Sequence, residues 1–216
     1  MEKLCVKEFK RVVVIVHPHF AIPRLKYKLP QTLREVMPSD ANAQQLKLAA
    51  GNAALERMLA SRDFLHRFYK REIDRAKKTP GTLVVILTSR FSDLLDSSAN
   101  PNFEADALAK KNGIARETAG VVFNRLQSQQ AELLNYARKL GRRLAVMPRE
   151  YENLPKLGNL LENHFRENGV RIVEGAPVEV FGEYTNVCVN AAHESLVKIF
   201  PQARIVYSKS QPHAYY

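Results

Sequence analysis

A cysteine, two histidines, two arginines and a few polar neighbours stand where the chain leaves apolar runs, and together they would supply thiolate chemistry. Cys188 closes the stretch Gly-Glu-Tyr-Thr-Asn-Val-Cys over residues 182–188, between an apolar run and a helical pattern. A helix N-terminus gathers unpaired N–H groups and carries roughly half a positive charge, which favours thiolate over thiol and binds an oxyanion. Cys188 is therefore the candidate nucleophile, and a small apolar residue packed at a strand-to-helix junction fits the same position. His17 and His19 follow the first apolar run. A neutral imidazole with pKa about 6.5 is a ready base at neutral pH, while a strand-terminal turn around Pro18 accounts for the same pair without catalysis. Arg90 and Arg149 follow two further runs. A guanidinium stays charged, so either would clamp a carboxylate or phosphate bidentately rather than donate a proton, or pair with a surface carboxylate. Glu183, Tyr184 and Thr185 would form the polar wall of the pocket.

These residues meet only if the apolar runs are strands of one sheet. Five such runs are rich in β-branched residues: Val12 to Val16, Leu83 to Leu87, Leu144 to Met147, Val170 to Phe181 with an interruption, and Arg204 to Tyr207. Most are continuous rather than alternating, the pattern of strands buried on both faces of a parallel sheet. Helical patterns lie between them. Residues 41–78 carry apolar side chains at helical spacing, broken near Ser61-Arg62-Asp63, where Ser61 or Asp63 would cap a second helix. The spacing also predicts helices over 116–140, stopped by Gly141, over 157–168, stopped by Gly169, and over 187–200, stopped by Pro201. Strand alternating with helix implies one α/β domain over 1–216, a Rossmann-like three-layer sandwich with a mainly parallel sheet flanked by helices and right-handed crossovers. Glu174-Gly175-Ala176-Pro177 divides the fourth run: either a tight turn makes a short antiparallel pair, or a brief strand precedes the one leading to Cys188. In an open parallel sheet ligands bind outside the carboxyl ends of the strands, where all the residues above would converge.

The stretch Val178 to Ser195, Val-Glu-Val-Phe-Gly-Glu-Tyr-Thr-Asn-Val-Cys-Val-Asn-Ala-Ala-His-Glu-Ser, resembles the signature of the isochorismatase-like cysteine hydrolases, in which an apolar strand, Gly, a Thr-Asp/Asn pair and Cys-Val lead into an Ala-rich helix. The resemblance runs from Leu144 to Val189. It implies an α/β fold and a cysteine, matched by Cys188, that attacks an amide, imine or related carbon. The family's aspartate base after the first strand has no counterpart in Val-Ile-Val-His-Pro-His-Phe, and Arg149 stands where its lysine is expected. His17 or His19 would replace the acid. An active hydrolase and a degenerate, non-catalytic member that only binds a small anionic or amide-containing molecule are both compatible with this pattern.

The net charge is +11 in 216 residues, and it is unevenly placed. Residues 1–80 hold 17 Lys/Arg against 8 Asp/Glu, and the remainder holds 16 against 14. Arg67, Lys70 and Arg71 lie on neighbouring turns of one predicted helix, with Phe64, Phe68 and Ile73 expected to turn inward. Such a face would attract nucleic acid or another polyanion, or it is a solvated helix surface. No helix-turn-helix, RNA-recognition or zinc-finger signature accompanies it. Neither a phosphate loop nor a Gly-x-Ser-x-Gly elbow occurs, no Cys/His cluster has zinc spacing, and no cofactor or metal is expected. No run approaches the ~18 apolar residues of a membrane span, and the first residues do not read as a signal peptide. Two widely separated cysteines, Cys5 and Cys188, fit a reducing compartment. The expected protein is soluble and cytoplasmic, with a small molecule, a polyanion or a second copy of itself as the partners these features admit.

Overall fold

The computed structural model describes residues 7–16, 18, 60, 63–88, 109, 115–148, 156–183 and 188–209. Its frame is a five-stranded parallel sheet built from the apolar runs: β2 (Arg11–Val16), β3 (Thr82–Thr88), β4 (Leu144–Pro148), β6 (Val178–Gly182) and β7 (Ala203–Ile205), in the order β4-β3-β2-β6-β7. Every residue of β3 and β6 is buried, because both faces of the sheet are covered. Helix α1 (residues 63–78) precedes β3, α2 (Arg116–Ala137) precedes β4, α3 (Leu157–Glu167) follows β4, and α4 (Asn190–Val197) precedes β7.

The pleat sorts side chains into two cores. Val13, Ile15, Val84, Ile86 and Phe181 meet Leu65, Tyr69 and Ile73 of α1 and Leu133 and Ala137 of α2. Val12, Val14, Val16, Val85 and Val180 meet Leu157, Leu161 and Phe165 of α3 and Ala192 and Leu196 of α4 on the other face. Two helices on each side of one sheet make three layers, as the alternation of patterns predicts. Buried Glu179 on β6 is tolerated because each carboxylate oxygen accepts from an arginine on a neighbouring strand, Arg11 at 2.8 Å and Arg204 at 3.1 Å.

The structure decides between the two alternatives for the fourth run and departs from the sequence-based expectations at two further places. The divided fourth run contains a brief strand, β5 (Val170–Ile172), which pairs parallel with β1 (Lys7–Phe9) in a separate two-stranded sheet, so the antiparallel alternative falls. Helix α2 ends at Ala137, earlier than Gly141 alone would dictate; the chain tightens into a 3-10 segment, Arg138–Arg143, within which Gly141 takes φ 57°. Phe64 does not turn inward but is 52% exposed, while Ile73 is buried. The expected helical pattern over 41–59 lies outside the described residues.

Candidate functional site

The strand order reverses between β2 and β6. β3 and β4 extend from β2 in one direction, and β6 and β7 extend in the other. In doubly wound sheets the connections leave such a point toward opposite faces and open a crevice at the carboxyl ends. Val16 and Gly182 are register partners there, and Glu183 N–H donates to the Val16 carbonyl at 3.0 Å. The approach is close enough that a Cβ on Gly182 would overlap the Val16 backbone, and Gly182 has φ 149°. The glycine before Glu183 thus lets two strand ends meet where a side chain would hold them apart.

Five residues beyond Glu183, at Cys188, the chain is helical and leads into α4. The cysteine therefore lies in the helical segment that follows the carboxyl end of β6. Its environment is apolar, for Cys188 is 6% exposed and belongs to the α3/α4 core with Val16, Met147 and Leu157. Burial pushes the thiol up to about 11 from 9.0, and the charge of Glu183, itself buried, adds to the rise. The low-pKa thiolate that a helix terminus would favour is therefore not found, because desolvation and a neighbouring carboxylate act in the opposite direction. At neutral pH the sulfur is a thiol, and attack from it would need a base in the same step.

Of the other expected groups, His17, His19, Arg90, Arg149, Tyr184 and Thr185 lie outside the described residues. The strands they follow do end at one edge, since Thr88 pairs with Pro148 and Val16 pairs with both Leu87 and Gly182. Pro18, between the two histidines, is buried, and its carbonyl accepts from Gln130 Nε2 of α2 at 3.1 Å. Gln130 was not singled out by sequence reasoning. Its signal is a polar residue on the inward stripe Leu126, Gln130, Leu133, Ala137, where a buried amide implies a specific partner.

The expected polyanion face proves partly committed to the fold. α1 and α2 are tied along their outer seam. Asp63 accepts from Arg125 at 2.8 Å on both oxygens and from Gln129 at 2.5 Å. Glu132 lies 2.8 Å from Lys70 Nζ and 3.2 Å from His66 Nε2, and Asp74 accepts from the Tyr136 hydroxyl at 2.5 Å. Arg125 holds the Asp63 carboxyl below its ordinary range, Lys70 does the same for Glu132, and the bond to Asp74 raises the Tyr136 hydroxyl. Lys70 also stands 4.8 Å over the Tyr136 ring. Its charge is therefore engaged within the protein, whereas Arg67 and Arg71 are exposed. Arg67 joins Asp63, Arg125 and Glu132 around an open groove of about 550 Å³ between the two helices.

Among the described residues, no group of three or more His, Cys, Asp or Glu side chains is placed to hold a metal ion, and no helix is long and apolar enough to cross a membrane. No protein-family model matches the chain, and no curated protein or solved structure matches it significantly.

Proposed function

We propose that this chain is an isochorismatase-like α/β protein that binds a small anionic or amide-containing molecule in the crevice between β2 and β6, without thiolate turnover. The observation that carries the reading is Cys188, placed like a nucleophile at the helix after β6 yet buried in the core with its thiol raised to about 11 beside Glu183. The strand reversal at β2 and β6 supports the crevice as the ligand site. In this reading Glu183 is part of the crevice wall, His17, His19, Tyr184 and Thr185 provide polar contacts, and Arg90 and Arg149 recognise the anionic group. Cys5 and Cys188 remain thiols in a reducing, cytoplasmic setting. The test is the rate of iodoacetamide alkylation at Cys188 in a Cys5→Ser background at neutral pH. Reaction slower than that of a model thiol is expected, and a rate above it would restore the hydrolase reading.

A second reading, binding of nucleic acid or another polyanion, is favoured by one observation: Arg67, Arg71, Lys77 and Lys78 are exposed along α1. Affinity that falls steeply with salt would distinguish it from small-molecule recognition in the crevice.

A further inference from the structure

A second cavity, of about 430 Å³, opens at the amino-terminal edge of the sheet, opposite the crevice. Leu83 and Ala145, near the starts of β3 and β4, give it an apolar floor on the α3 face of the sheet, and Phe165 and Val170 give it an apolar wall. Its cations are Lys7 of β1 and Arg142 of the segment before β4. Neither side chain makes an ion pair or hydrogen bond among the described residues. Arg143 next door differs, because its guanidinium donates to the Ala76, Lys77 and Thr79 carbonyls at the end of α1. The last turn of α3 also borders the cavity, and two of its carbonyls are already engaged. Asn168 donates to His164 O from both backbone N–H and Nδ2, and Gly169 N–H donates to Arg166 O. That helix end therefore offsets the cations less than a bare C-terminus would.

We propose that this cavity is a ligand site for a monoanion with an apolar body, such as an aryl or branched-chain carboxylate. Its size suits a small ligand, and the pairing of an apolar floor with a few convergent polar groups is the pattern of small-molecule sites. Lys7 and Arg142 receive the carboxylate in charge-assisted hydrogen bonds, and the body lies on Leu83, Ala145 and Phe165. Glu167 also lines the cavity. Its charge offsets one of the two cations, which disfavours multiply charged anions. The site is independent of the β2/β6 crevice, which lies at the other ends of the same strands.

The experiment titrates the full-length, isotope-labelled chain with phenylacetate and 4-methylpentanoate, using phenylacetamide as the neutral comparator, and reads amide shifts and affinity by NMR. Saturable shifts are expected at residues 142–145 and 164–170, with phenylacetamide about fivefold weaker or more, the discrimination of one partly exposed charge contact. The K7A/R142A variant, checked for folding by circular dichroism, loses that preference, and E167Q binds the acids more tightly. The proposal is overturned if neither acid saturates at millimolar concentration, if acid and amide bind alike, if K7A/R142A keeps the preference, or if the shifts centre on 182–189 instead.

Discussion

Gly182 lies so close to Val16 that a methyl group on it would overlap the Val16 carbonyl oxygen, the same oxygen that accepts from Glu183 N–H at 3.0 Å. The contact joins β2 to β6 where the strand order reverses. Gly182→Ala must displace one strand end and also hold an L-residue at φ 149°. Stability should fall by about 2–4 kcal/mol. Gly120 in α2 has open space around it, and Gly120→Ala should add roughly 0.5–1 kcal/mol by restricting the unfolded chain. Urea midpoints at constant slope measure both. Equal effects would deny Gly182 its place at the junction.

Gly158 N–H, in the first turn of α3, donates to Ser195 Oγ of α4 at 2.9 Å. One of the orphan donors of α3 is thus satisfied by the neighbouring helix rather than by a local cap, and both residues are buried. Ser195→Ala leaves that N–H without its partner, and should lower stability by about 1–3 kcal/mol. Hydrogen exchange at Gly158 should accelerate in the same variant. An unchanged exchange rate would mean that the bond contributes nothing.

The central strands were legible because burial on both faces demands continuous apolar runs, as in Val12 to Val16 and Leu83 to Leu87. Lys7–Phe9 was not, because its stability comes from pairing with Val170–Ile172, a partner far along the chain that local periodicity does not reveal. At Cys188 the sequence carried the helix after β6 but not the surroundings of the sulfur. Sequence shows the helix start, which lowers a thiol pKa, but not the apolar layer and Glu183 that raise it. The basic stripe had the same limit. Arg67, Lys70 and Arg71 look alike in sequence, and only the packing of α2 gives Lys70 its partners Glu132 and Tyr136.

That difference separates two kinds of lysine and arginine on α1. Lys70→Ala removes a half-exposed ion pair and a contact with an aromatic face, and should lower stability by at most about 1 kcal/mol. R67A/R71A should leave stability unchanged. If the chain binds a single-stranded polynucleotide, R67A/R71A should reduce the slope of log affinity against log salt by about 1–1.5. A salt titration by fluorescence anisotropy measures it, and an unchanged slope would move the polyanion site off this helix.

The raised Cys188 thiol predicts a pH window for stability. The folded thiol titrates near 11 and the unfolded one near 9.0, so between those values the folded state binds more protons. Stability from this group is fully present below pH 9 and falls as pH rises through 11, a loss of about 2–3 kcal/mol. Tyrosines and lysines titrate in the same range, so the measurement is the difference between the parent chain and Cys188→Ala in urea midpoints from pH 8 to 11. The alanine variant should lack this part of the alkaline loss. Glu183→Gln removes the neighbouring charge, and should bring the thiol down, narrow the window and speed alkylation at a given pH. Parallel pH curves for the parent and Cys188→Ala would show that the thiol ionises without hindrance. The case for a buried, non-nucleophilic Cys188 would then be lost.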